Sequence, residues 1–158
     1  MTLALLIACD DGSVKLEDST GTTPTGTTPT TKDEDPCACA EEAIDDEAFA
    51  NYPPVVLCTT PRAGAIDVDP ATDELRVTFS KDMSDRSWSW VQVSDRTYPE
   101  TTGDPYFETD RTTVLPVALE AGQTYVVWIN YYDEYMNFVD ADGNAAAPFQ
   151  ITFRTAGE

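Results

Sequence analysis

The 158-residue chain predicts an all-β protein, a single antiparallel β-sandwich of about seven strands behind a disordered N-terminal stalk. Three observations carry that expectation. From Val55 onward, apolar and polar residues alternate at period two in short stretches, as strands with one buried and one wet face do. Gly, Pro, Asp and Asn break these stretches, and no helical period of useful length intervenes. Residues 10–36, by contrast, are low in complexity and almost free of apolar side chains, so they cannot bury enough surface to offset the entropy of ordering.

In chain order, residues 1–8 form an apolar leader, with Leu3 to Ala8 running directly into Cys9. Leu6-Ile7-Ala8-Cys9 resembles the lipobox of bacterial lipoproteins, in which a small residue precedes the cysteine that receives diacylglycerol. The resemblance implies lipidation at Cys9, loss of residues 1–8 as a signal segment, and a membrane partner reached through the acyl chains. Residues 9–51 then read as an acidic linker rich in Thr, Pro and Gly, best seen in Gly21 to Thr31, where Pro24 and Pro29 block helix. A short helix is expected near residues 40–50, and Tyr52-Pro53-Pro54 ends it and opens the domain, residues 52–158.

Within the domain, Leu75, Val77 and Phe79 alternate with Arg76, Thr78 and Ser80 as one strand. Trp88 and Trp90 alternate before the apolar phase slips to Val91 and Val93, which predicts a bulge or a strand buried on both faces. Thr113 to Val117 gives another strand. Gln123 to Tyr132 is apolar on both faces, as a central strand would be, and Phe149, Ile151 and Phe153 alternate in the last one. Of the cysteines other than Cys9, Cys58 lies at the start of the domain. Joining it to Cys37 or Cys39 would staple the linker's end to the first strand, while the remaining cysteine stays free or pairs between molecules.

Four motifs in order resemble the bacterial Ig-like domains of S-layer and other surface proteins. They are Thr60 to Val68 with its Pro61 and Gly64-Ala65, Leu75 to Ser80 with Lys81-Asp82-Met83, Leu119 to Tyr125, and Asp142-Gly143-Asn144 followed by Phe149 to Thr155. The resemblance implies an immunoglobulin-like antiparallel sandwich and a spacer, display or adhesion role on a cell surface or in the periplasm. Leu119-x-x-Gly122-x-x-Tyr125 also matches a tyrosine corner, in which Gly122 permits the turn and the buried Tyr125 hydroxyl bonds back to nearby backbone.

Charge narrows the function further. The chain carries a formal net charge of -20 and no histidine, and each of residues 1–51 and 52–158 nets -10. Such a field repels nucleic acid, because phosphate binding needs Lys and Arg to displace counterions. Without histidine the commonest general base and metal ligand are missing, so no catalytic residue is assigned and no enzyme is expected. Two candidate binding regions remain. Asp140, Asp142 and Asn144 are candidate calcium ligands, with Asp67 and Asp69 as a second acidic pair, against the alternative of ordinary turn chemistry. Tyr131, Tyr132 and Tyr135, near Trp88, Trp90, Trp128 and Phe138, suit stacking on a glycan or a hot spot for a protein, against the alternative that Trp88 and Trp128 are core and the tyrosines only rim it. No resident cofactor is expected beyond that candidate calcium.

Overall fold

The computed structural model describes residues 46–157 and one short antiparallel pair, β1 (Cys9–Asp10) with β2 (Ser13–Val14). The leader and most of the expected stalk lie outside the described residues. The expected helix near 40–50 is represented by one turn, α1 (Asp46–Phe49), whose Asp46 and Glu47 sit in its first turn.

Eight strands follow: β3 (Val56–Thr60), β4 (Glu74–Phe79), β5 (Trp90–Val91), β6 (Glu100–Thr101), β7 (Tyr106–Phe107), β8 (Thr112–Ala118), β9 (Thr124–Ile129) and β10 (Phe149–Arg154). One sheet runs β3-β4-β8-β6 with β7 also on β8, and the other runs β10-β9-β5. Every pairing is antiparallel. Since β6 and β7 both pair with β8, they act as one interrupted strand. Four strands then face three, the partition of an immunoglobulin constant-type sandwich.

The period-two pattern fills the space between the sheets. Leu75, Val77 and Phe79 of β4 and Leu115 and Val117 of β8 meet Tyr125, Val127 and Ile129 of β9 and Ile151 and Phe153 of β10, all buried. After β3 the chain turns at the cis Thr60–Pro61 bond and crosses to the other sheet. There the Gly64 amide donates to Thr152 O (2.6 Å), Arg154 N to Ala65 O (2.8 Å) and Val68 N to Arg154 O (3.1 Å). This segment covers the outer edge of β10, which would otherwise offer unpaired amides and carbonyls to another chain.

Two expectations need correction. β9 is indeed the middle strand of its sheet, but among the described residues no second sheet covers its other face, and Val126 and Trp128 are half-buried. A three-stranded antiparallel sheet packs one face and leaves the other to solvent. Trp88 is not a core residue either: it is 41% exposed, and the tryptophan that packs against the core is Trp90. The slipped apolar phase reflects a two-residue strand flanked by irregular chain, with Val93 exposed as well.

Candidate functional site

The chain between β9 and β10, residues 130–148, covers one end of the sandwich, and a single asparagine organises it. Asn130 is fully buried with φ 52°. Its Nδ2 donates to Phe138 O (3.0 Å) and Ala146 O (2.9 Å), and its Oδ1 accepts from Phe138 N (3.0 Å). Its own amide donates to Ser89 O (3.0 Å), joining the connection to the start of β5. Asparagine suits the position because its short polar side chain tolerates the left-handed region and satisfies backbone groups locally. Ser89, also buried, accepts from Asn137 N (3.1 Å) and Asn137 Nδ2 (3.0 Å) through Oγ.

Between these anchors Phe138 enters the core. It is fully buried, with ring centroids 5.3 Å from Phe79, 6.0 Å from Trp90 and 6.2 Å from Phe107. Of the aromatic-rich set that the sequence groups around the tyrosines, Phe138 therefore belongs to the core. Its insertion divides the connection into two outward lobes.

The first lobe brings together the tyrosines that the sequence singled out. Tyr131 N donates to Tyr135 O (2.8 Å), which closes a tight loop, and Tyr132 takes φ 42° at its crown. The Tyr131 ring stands edge-on to Trp128 (5.2 Å, 79°) and to Tyr132 (4.6 Å, 83°), and Tyr132 lies 6.2 Å from Trp128. Tyr132 is 63% and Tyr135 49% exposed, with exposed Asp133 and Glu134 between them. The result is an aromatic ledge on the uncovered side of β9, continuous with Trp128.

The second lobe holds the candidate calcium ligands, and its geometry is that of a turn. Asp140 is buried, and its Oδ1 accepts from Asp142 N (3.1 Å) and Asn144 N (2.8 Å). Asn144 Nδ2 donates to both carboxylate oxygens (3.2 and 3.0 Å), and Lys81 Nζ lies 3.8 Å from Oδ2. The carboxylate thus organises its own loop, with Gly143 at φ 86° completing the reversal. Burial pushes the Asp140 carboxyl up, but the Asn144 side chain and amide, the Asp142 amide and the charge of Lys81 outweigh it, so its pKa lies below the usual carboxylate value. Asp67 and Asp69 are both exposed, and Asp69 Oδ1 accepts from Ala71 N (2.9 Å) as a turn cap. Among the described residues no group of three or more Asp, Glu, Cys or His is gathered to hold a metal.

At the opposite end of β9 the Tyr125 hydroxyl accepts from Glu120 N (2.7 Å), and the ring is 4% exposed. Gly122 has φ 68°, and its amide donates to Ala156 O (2.8 Å). Thr155 Oγ1 donates to Glu120 O (2.6 Å) and accepts from Gln123 N (2.9 Å). These bonds lock the loop before β9 to the end of β10.

Cys58, on β3, is disulfide-bonded. Its expected partner, Cys37 or Cys39, lies outside the described residues, and what is described of the junction between α1 and the sandwich is polar. Two cations reinforce this junction. Arg111 pairs with Asp46 of α1 (2.8 Å) and with Asp82 (2.6 Å), and Lys81 Nζ donates to Ala50 O (3.3 Å). An acidic cleft of about 570 Å³, lined by Met83, Asp85, Phe107, Glu108 and Asp110 among others, lies beside the Asp140 turn. Glu108 there is committed to an ion pair with Arg76.

The asparagine clamp, Ser89 and the core position of Phe138 escaped the sequence reading, because each acts through backbone groups far along the chain. These features define the class first, an immunoglobulin-like sandwich with an ordered β9–β10 connection. Residues 50–155 match the family model of the bacterial Ig-like domain, and the chain belongs to that family, a non-catalytic kind of domain. No curated protein matches the chain. Among solved structures it is similar to the S-layer protein rSbsC(31-844), with 20% identity and a TM-score of 0.43, covering 75% of this chain and 16% of that one. It is also similar to the N-terminal part of the bacterial S-layer protein SbsC, with 19% identity and a TM-score of 0.42, covering 75% of this chain and 27% of that one. The chain therefore spans less than a third of either S-layer chain.

Proposed function

We propose that this protein is a lipid-anchored, non-catalytic interaction module of a bacterial cell envelope, with Cys9 as the acylated residue and the Ig-like domain displayed beyond an acidic linker. The observation that carries the reading is the disulfide at Cys58, since such bonds form and persist in exported proteins. The lipobox-like Leu6-Ile7-Ala8-Cys9 and membership of a surface-domain family support it. Among the described residues no helix is long and apolar enough to cross a membrane.

Within this reading the domain acts through its aromatic ledge. Ring faces at Tyr132 and Tyr135 are open to solvent, and the loop presenting them is tied to the core through Asn130 and Phe138. Exposed tyrosines on an ordered frame are what protein and glycan contacts use, because little conformational freedom is lost on binding. The Asp140 turn is assigned to shaping this end.

Two measurements test the anchor and the display. Cells expressing the chain are grown with radiolabelled palmitate and then shaved with protease while intact. The expected result is label on the wild-type protein, none on Cys9→Ala, and loss of the domain from shaved cells. An unlabelled wild-type protein would refute the anchor. Full protection from protease would refute surface display and leave a periplasmic location.

A further inference from the structure

We infer that the ledge formed by Trp128, Tyr131 and Tyr132, with the exposed Tyr135 on the same loop, docks an arginine-bearing, cationic segment of a partner protein; the inference rests on the interaction-module reading and names the chemistry of its partner. The first support is preorganisation. Tyr132 holds a left-handed backbone that non-glycine residues adopt only when their surroundings fix it, and it follows Asn130, which is clamped in the same region. The Tyr132 ring also rests against Tyr131 (4.6 Å) and Trp128 (6.2 Å), so part of its side-chain freedom is spent before any partner arrives.

The second support is charge. Asp133 and Glu134 stand exposed between the two open tyrosines, on a chain of net charge -20. A second copy of this chain would bring the same field to the face, and so would an anionic polymer, so both are opposed. A cation gains twice, from the negative face of a tyrosine ring and from the flanking carboxylates.

The third support is ring geometry. Tyr131 stands at 79° to Trp128 and 83° to Tyr132, so the cluster has no coplanar row on which successive sugar rings could stack. It offers single ring faces on a loop that also carries the exposed Asp133 and Glu134. A planar guanidinium matches these, stacking on the ring while bonding to a carboxylate in its own plane, whereas an ammonium is a compact point charge. Arginine is therefore favoured over lysine.

The test uses the full chain and two probes, hexa-arginine and hexa-lysine peptides, titrated calorimetrically at low salt. Trp128 emission provides a second readout, since its ring touches Tyr131. The expected result is tighter binding of hexa-arginine. Tyr132→Ala should weaken that binding about three- to fivefold and largely remove the preference over lysine. Asp133→Asn with Glu134→Gln should weaken both peptides, whereas Asp67→Asn with Glu100→Gln, an equal charge change at exposed sites elsewhere, should leave them unchanged. The acid pair keeps the test decisive if Tyr132→Ala folds poorly. Equal binding of both peptides, weakened alike by either acid pair, would mean diffuse charge attraction and overturn the inference. So would binding of a neutral oligosaccharide such as cellohexaose, lost in Tyr132→Ala, with no response to hexa-arginine. Either failure leaves the palmitate and protease results standing, so the anchor reading and the partner assignment fail separately.

Discussion

Tyr125 and Asn130 mark the two ends of β9, and each holds the sandwich through side-chain bonds to backbone. Tyr125→Phe keeps the ring and removes only the acceptor for Glu120 N, so it should lower unfolding free energy by about 1–2 kcal/mol in denaturant titration. Asn130→Ala is a heavier loss. It leaves the Ala146 carbonyl and the Phe138 amide without their side-chain partner in a dry interior, while Phe138 O keeps only Ala146 N (2.8 Å), and about 3 kcal/mol is expected. Asn130→Gly relieves the left-handed backbone yet should lose nearly as much, which separates bonding from strain. Asp140 adds a pH signature. Its pKa is depressed in the fold, so its stabilisation is complete above the unfolded carboxylate value, near 4, and disappears as pH falls through the lower folded value. The slope of melting temperature against pH below about 4 should be shallower in Asp140→Asn. Tyr125 was legible in the sequence because its motif closes within six residues. Asn130 was not, because an asparagine after a strand reads as a turn former, and its partner carbonyls lie as far as sixteen residues ahead.

Legibility at the scale of elements follows strand length. β4, β8, β9 and β10 each have six or seven residues, and alternation over that length selects a face unaided. β5, β6 and β7 have two residues each, too few for any period, and exist because a neighbouring strand supplies their partners. The outer face of β9 is illegible for a related reason: Val126 and Trp128 look like core in one dimension, and only the sheet's position shows that among the described residues no second sheet lies over them, only the Tyr131 and Tyr132 rings on Trp128. The first strand owes part of its hold to covalent chemistry. In the entropic account, Cys58 joined to Cys37 or Cys39 closes a loop of about 20 residues and stabilises by roughly 3 kcal/mol. Cys58→Ser should therefore lower the melting temperature, and reductant should bring the wild type to the same value while leaving the variant unchanged. Arg111→Ala, by contrast, removes ion pairs to largely exposed partners and should cost under about 1 kcal/mol.

For the molecule as a whole, the fold was the most legible property and the partner the least. A sandwich needs only alternation, turns and their order, all of which are local. A partner's identity depends on which rings stay open after folding, and Phe138 and Tyr132, six residues apart, have opposite fates. The net charge of -20 carries its own prediction. Self-repulsion opposes the compact state and is screened as the Debye length shrinks, so melting temperature should rise with sodium chloride up to about 0.15 M.

The chain enters the sandwich beside the β9–β10 connection. Val56 lies opposite Phe79, and Pro54 O accepts from Ala147 N (2.9 Å). The tyrosine corner and the end of β10 occupy the far pole. The chain before α1 therefore joins the domain at the pole that carries the ledge, so a partner held by Tyr132 and whatever precedes α1 crowd one end of the sandwich, while the closed tyrosine-corner pole is left free of both.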